Sequence, residues 1–348
     1  MKSVGQNRDY VGKEVFVGID VHKKTYVVTV RCEGLVVKKF AQNADASQLC
    51  ESLLKWFNGA KIAAVYEAGF SGFGLQRFLV SNGIQCIVVN PASVEVEANN
   101  RVKTDKRDSD KMAEKLEDDK LIGIYIPTVQ EELDRQYQRT RSQLVKSRGR
   151  VANQLKGKLL EFGLLSPDDD QVVSKKFIAK IRRLELPEEL RFCIDLMISQ
   201  WVYISTQILS VDQKIRQQIA SGNRQIQIIK SVPGFGDIST ITVSTEIINF
   251  LRFRNEKTTF SYVGLTPCEY SSGEHRRLGN ISRQGSGRLR HILIEAAWRA
   301  IKQNKSLAEA FERIASRRGK KKAIVAIARK LIGQIRACIW NDMEYQAA

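Results

Sequence analysis

Between Val15 and Pro91 the chain alternates short apolar runs with polar breaks. "VFVGIDV" (15–21), "TYVVTVR" (25–31) and "LVVKKFA" (35–41) are rich in β-branched residues and separated by "HKK" and "EG" turn signals, the pattern of three strands joined by hairpins. "ASQLCESLLKWF" (46–57) carries apolar residues at helical spacing, "KIAAVYEAG" (61–69) reads as a fourth strand, "GLQRFLVSNG" (74–83) as a helix closed by Gly83, and "IQCIVVNP" (84–91) as a fifth strand stopped by Pro91.

Strands linked through helices imply parallel neighbours in a covered sheet. Three meandering strands followed by β-α-β crossovers give the element order of a ribonuclease-H-like α/β fold. From about residue 127 the pattern turns helical. Between Arg135 and Lys158 there are eight basic residues, Arg139, Lys146, Arg148, Arg150 and Lys156 among them, and no acid. Tyr137, Thr140, Leu144, Val151, Leu155, Leu159 and Phe162 recur there at helical or heptad spacing, as in a long amphipathic helix or coiled-coil arm. "SPDDDQ" (166–171) reads as a turn and 185–221 as a further helical pair. "IIKSVPGFGDISTITVSTEI" (228–247) has the outline of a helix-hairpin-helix, in which Gly234 and Gly236 let backbone amides approach a nucleic-acid phosphate. The chain therefore divides into 1–126 (α/β), 127–224 (helical spacer) and 225–348 (helical).

Charge narrows the partners. The 348 residues hold 56 Lys and Arg against 38 Asp and Glu, a net charge of +18, which favours polyanions. Five arginines without an acid (Arg276, Arg277, Arg283, Arg288, Arg290) are interleaved with Gly and Ser, as in a cationic loop. No apolar run approaches the roughly 20 residues of a membrane span, and the polar start lacks a signal-peptide core; the expectation is a cytoplasmic, nucleic-acid-binding protein with no membrane partner. The six cysteines form no C-x-x-C pair and the three histidines no H-E-x-x-H, so they read as reduced packing thiols rather than zinc ligands.

Against that basic background the acids stand out. Asp20 closes one apolar run and Glu67 another, and a buried carboxylate is costly unless paired or metal-bound. "KTDKRDSD" (103–110) then opens a helix on which Asp105 and Asp108, three apart, share a face; Asp110 is a substitute that points elsewhere. Four such oxygen donors suit two divalent cations, Mg²⁺ or Mn²⁺, in a site for phosphoryl transfer. Helix-dipole stabilisation of Asp105 and Asp108, and a solvent-facing Glu67, are the plain alternatives.

"GIDVHKKT", "VYEAG", "KTDKRDSDKMA", "SVPGFGDISTITVSTEI" and "YVGLTPCEYSSGEHRRLGNISRQGSGRLRHIL" occur in the order and spacing of a known family. The chain resembles the DEDD-type insertion-sequence transposases, relatives of the pilin-gene-inverting recombinase and understood as bridge-RNA-guided recombinases. It departs from them at Ser109, where Ala is usual, and at Glu274, where many members have Gly.

The resemblance implies a RuvC-like domain in which Asp20, Glu67, Asp105 and Asp108 bind magnesium, and a serine nucleophile in "YSSGE", Ser271 or Ser272. It also implies double-stranded donor and target DNA, a structured guide RNA, and a dimer pairing into a tetramer. Arg276 and Arg277 are placed to stabilise the charge of the attacked phosphate. A RuvC-like junction nuclease using water, an actin-like kinase and a non-catalytic nucleic-acid-binding protein are the rivals. A covalent protein–DNA species, ATP turnover and metal-dependent strand cleavage separate them.

Overall fold

The computed structural model describes residues 9–91, 105–166, 172–269 and 277–346. It falls into two compact units, Met1–Pro127 and Thr128–Ala348.

The first unit is built on a five-stranded sheet of β1 (Glu14–Val21), β2 (Thr25–Cys32), β3 (Leu35–Asn43), β4 (Lys61–Glu67) and β5 (Gln85–Val89), in the order β3-β2-β1-β4-β5. β1, β2 and β3 pair antiparallel, whereas β4 joins β1, and β5 joins β4, in parallel. This mixed sheet is consistent with the ribonuclease-H-like expectation. The β2–β3 connection is two residues, Glu33 and Gly34, both at positive φ (53° and 75°), the backbone that lets a hairpin follow the strand twist.

Strand alternation sorts the side chains onto two faces. Val15, Val17, Ile19, Ile62, Ala64 and Tyr66 face α1 (Ala46–Trp56) and α2 (Gly74–Ser81), where Leu49, Leu53, Leu75 and Leu79 complete the larger core. On the opposite face lies α3 (Asp105–Glu117), whose Met112 packs with Val65 and Val89. Chain beyond α3 covers the β5 edge, with Ile124 N–H donating to Val88 O at 2.7 Å.

In the second unit α4 (Val129–Asp134) leads into α5 (Gln136–Glu161), followed by α6 (Lys175–Arg182) and α7 (Glu188–Ala220). The expected helical pair over 185–221 is one 33-residue helix, because no Gly or Pro interrupts it from Glu188 to Ala220. α5 and α7 run antiparallel: Leu155 and Leu159 pack with Ile194 and Ile198, Val151 packs with Ile204 and Ile208, and Arg141 pairs with Asp212. α7 is also the one helix among the described residues long and apolar enough to cross a membrane, and its Ile194–Ile215 stripe packs within the helical unit.

The inner face of α5 differs from the expected stripe. Gln138 is buried near its start while Tyr137 and Phe162 are exposed, because Gln138 and Arg139 are drawn to a buried acid described below.

The remaining core is formed by α8 (Arg224–Ser231), α9 (Asp237–Ile247), α10 (Glu256–Tyr262), α11 (Gly287–Gln303), α12 (Lys305–Arg318) and α13 (Lys320–Trp340). A short antiparallel pair, β6 (Pro267–Glu269) and β7 (Leu278–Ile281), stands between α10 and α11.

Candidate active site

Asp20 and Glu67 are placed by strand pairing. Ile19 is aligned with Tyr66, so the next residues of the parallel strands, Asp20 and Glu67, are neighbours at their C-terminal ends. They share the face that carries Phe16, Gly18 and Val65, opposite the larger core. That is the face α3 covers. A Cβ on Gly18 would lie 2.0 Å from Ser109 O and 2.6 Å from Ala113 N, so only glycine allows the helix backbone to approach this closely.

α3 is fixed in direction as well as height. Ser109 Oγ and Thr29 Oγ1 form a buried 2.9 Å hydrogen bond at the level of Gly18, while Glu117 accepts from Arg31 Nε at 2.9 Å at the level of Phe16. The helix therefore runs antiparallel to β1, with its N-terminal end toward Asp20 and Glu67. Asp105 stands one turn before Ser109 and Asp108 one turn before Met112, so both precede the packed stripes of the helix at the end nearer the strand acids.

The half-buried Asp20 side chain, 22% exposed, has His22 Nε2 at 3.3 Å from its Oδ2. Asp110 takes another role, accepting from Lys39 at 2.8 Å and from Arg31 at 3.3 Å, so it is a partner of β2 and β3 rather than a substitute ligand. Ser109, the departure from the family pattern, supplies the bond to Thr29.

The oxygen donors fit a hard divalent cation: Asp20 and Glu67 are adjacent carboxylates on rigid strands, and Asp108 sits on a helix held to the same face. The Asp105 side chain lies outside the described residues, and among the described ones no three His, Cys, Asp or Glu side chains form a metal-binding group. Cysteine is not a competing ligand. Cys32, Cys50 and Cys86 are buried in the strand and helix packing, and burial pushes the Cys86 thiol up to about 12.

Ser271, Ser272 and Arg276 lie outside the described residues, in the stretch between β6 and β7. The base of that hairpin is tightly held. Ser286 N–H donates to Tyr262 O at 3.2 Å, and Ser282 N–H to Thr266 O at 2.8 Å. A Cβ on Gly285 would lie 2.4 Å from Tyr262 O, and one on Gly264 2.4 Å from the Arg290 guanidinium. Arg290, read from sequence as a nucleic-acid contact, is thus packed against the hairpin base.

Two comparisons decide the family. Residues 17–163 match the DEDD transposase model of the IS110 group, and residues 226–312 match the transposase model of the IS116/IS110/IS902 family. The chain belongs to the IS110 family of insertion-sequence transposases. It is 26% identical over 299 residues to the y4qE protein of Sinorhizobium fredii, covering 82% of this chain and 72% of that one. It is 26% identical over 282 residues to the transposase for insertion sequence element IS1111A of Coxiella burnetii (78% and 75%). To the transposase for insertion sequence element IS1533 of Leptospira borgpetersenii it is 25% identical over 298 residues (82% and 85%).

The basic positions of this transposase divide into two kinds. Arg139 is an internal partner: its Nε and Nη2 each donate at 2.9 Å to the two oxygens of Glu246, which is buried and also accepts from Gln138 at 2.6 Å. Burial alone would raise the Glu246 carboxyl above its usual range, but the hydrogen bonds and charge of Arg139 outweigh it and hold the group below that range. Arg148 lies 5.7 Å from the Trp201 ring centre. Lys146, Arg150, Arg277, Arg283 and Arg288 are exposed, as a phosphate contact requires, and Lys156 is half-buried.

Sequence 228–247 forms the expected helix, turn and helix, yet Gly234 serves packing. Its N–H donates to Gln303 at 2.7 Å, and a Cβ there would meet Ala296 O at 2.2 Å. The Gly236 N–H is taken by Ser239 Oγ at 2.8 Å. Neither amide is left for a phosphate in the way the hairpin reading required.

The sequence reading also missed Gly18, Thr29 and Glu246. The first had a signal, since an isolated glycine inside an apolar strand marks a close approach. Glu246 had none, because its partner Arg139 is 107 residues away.

Proposed function

We propose that this transposase cuts and rejoins DNA strands with a divalent-metal carboxylate site in residues 1–126 and a serine nucleophile in residues 225–348, with residues 127–224 as an assembly arm. The observation that carries the reading is the adjacency of Asp20 and Glu67 on parallel strand ends, on the face under α3, within a DEDD transposase domain. Asp20, Glu67, Asp105 and Asp108 hold the cations, Mg²⁺ or Mn²⁺. A bound ion would neutralise phosphate charge and stabilise the leaving oxygen.

The serine is Ser271, with Ser272 as the alternative. Its Oγ attacks a backbone phosphorus, an O–P bond forms, the phosphodiester bond to the neighbouring nucleotide breaks, and the departing oxygen takes up a proton. The phosphoserine ester conserves the bond energy, and a hydroxyl of another strand then displaces the serine. Arg276 and Arg277 stabilise the developing charge. Exposed Phe192, Leu196, Tyr203 and Leu209 on α7 favour assembly through the arm, as a coiled-coil dimer that pairs into a tetramer around donor and target DNA. A structured guide RNA selects the two sites by base pairing, and the protein works in the cytoplasm, where that DNA lies. The net charge of +18 supports both nucleic-acid partners.

Asp20→Asn is expected to abolish strand cleavage in Mg²⁺ while leaving DNA retention on a gel unchanged. Ser271→Ala, or failing that Ser272→Ala, should eliminate the covalent DNA adduct on the peptide spanning "CEYSSGEHR". Cleavage without any adduct would instead make this a water-using nuclease. Recombination by nuclease-treated protein without added RNA would remove the guide.

A further inference from the structure

In the second unit, α5, α9 and α11 enclose two adjoining cavities of about 560 Å³ each, which share Arg141, Ile238, His291 and Ile292. Lys146 and Arg288 stand on the wall of one, Arg299 and Glu295 on the wall of the other. Arg141 is neutralised by Asp212, and Asp237 by Lys230 at 3.0 Å. Lys146 and Arg299 are exposed, and neither makes an ion pair among the described residues. Arg288 reaches Glu246 only at 3.9 Å, a carboxylate that Arg139 already satisfies.

The groove thus keeps three cations against one acid, Glu295, after its internal pairs are counted. The floor adds polar groups. Gly236, the residue before α9, has no side chain to accept from the helix's first turn, so the N–H groups of Asp237 and Ile238, unlike that of Gly236 itself, remain for a ligand. Cavities of this size take small ligands, one nucleotide each rather than a duplex. Among the described residues the lining carries no Phe, Tyr or Trp on which bases would stack, so recognition falls to the backbone.

We propose that this groove seats the sugar-phosphate backbone of a single nucleic-acid strand, with Lys146, Arg288 and Arg299 contacting successive phosphates. The proposal rests on the nucleic-acid reading above but not on its metal or serine chemistry. Arg299 and His291 were not among the sequence-derived contacts, and Arg141 and His291 are the polar side chains shared by both halves.

The test is fluorescence anisotropy of labelled oligo-dT, oligo-U and a DNA duplex with the full chain across a salt series. Lys146→Gln with Arg299→Gln should flatten the slope of log Kd against log salt by about 0.7 per lost contact on a single strand, and leave the duplex slope unchanged. Glu295→Gln should move the other way and tighten single-strand binding. The oligonucleotide that responds more identifies the strand as DNA or RNA. Unchanged single-strand slopes, or an equal loss on the duplex, would overturn the groove. If the slopes change but wild-type protein neither cleaves DNA nor forms an adduct, the chemistry fails and the groove stands. If adduct forms while the slopes stay fixed, the groove alone fails.

Discussion

The two units treat their acids in opposite ways. In the helical unit, Glu246 is surrounded: both oxygens go to Arg139, Gln138 adds a third bond, and Tyr262 Oη donates to its backbone carbonyl at 3.0 Å. In the sheet unit, Asp20 and Glu67 are set beside each other on adjacent strand ends, with like charges as immediate neighbours. The first arrangement consumes the charge to fasten α5 to α9. The second sets two carboxylates side by side at the ends of rigid parallel strands, the arrangement on which the proposed cation site rests. An acid in a basic protein is therefore informative through what surrounds it rather than through its burial alone.

The contrast is most sharply broken at the support beneath the strand acids. Gly18→Val would drive side-chain atoms into the α3 backbone, which cannot rotate away, and is expected to cost about 3 kcal/mol or more and to lower the melting temperature of the sheet unit. The same variant should also lose the metal-dependent cleavage proposed above, because α3 carries Asp105 and Asp108.

Next comes the saturated acid. Glu246→Ala leaves Arg139 and Gln138 facing a void, a loss of about 3 kcal/mol readable by denaturant unfolding, with the matched Arg139→Met, Glu246→Leu double variant recovering much of it. Since the folded pKa of Glu246 is depressed, its contribution is fully present above the ordinary carboxylate range and is lost as pH falls through the folded value. Wild-type stability should accordingly drop more steeply below about pH 4.3 than that of the double variant.

The smallest effect sharpens the comparison within α3 itself. Thr29→Val removes the buried bond to the Ser109 hydroxyl and should cost about 1–2 kcal/mol, and combining it with Ser109→Ala should cost less than the sum of the two single changes. A double-mutant cycle that shows no coupling would remove Ser109 from the account of how α3 is positioned.

Period-two alternation with turn residues determined the five strands, and the apolar runs ending in Asp20 and Glu67 marked strand ends, because side-chain periodicity is a local property. The helical unit was less legible. α9 has Ser, Thr and Glu on every side and is buried from Ser239 to Ile247, so no polar face signals its place. Two of its hydroxyls are satisfied within the helix, Thr242 and Thr245 Oγ1 donating to the carbonyls of Ile238 and Ile241 at 2.7 Å, and Ser244 Oγ accepts from Gln225 of α8 at 3.2 Å, while the buried Thr240 Oγ1 has no hydrogen-bond partner among the described residues.

By itself, then, the sequence determined which segments become strands and helices, the excess of positive charge, and the family motifs. Only the tertiary structure decided that Asp20 and Glu67 are neighbours, that Gly18 admits α3, that Asp110 and Arg139 are spent on internal pairs, and that Arg299 joins Lys146 on one groove. Those facts depend on register and packing between residues far apart in the chain, and no local pattern of side chains encodes the distance between them.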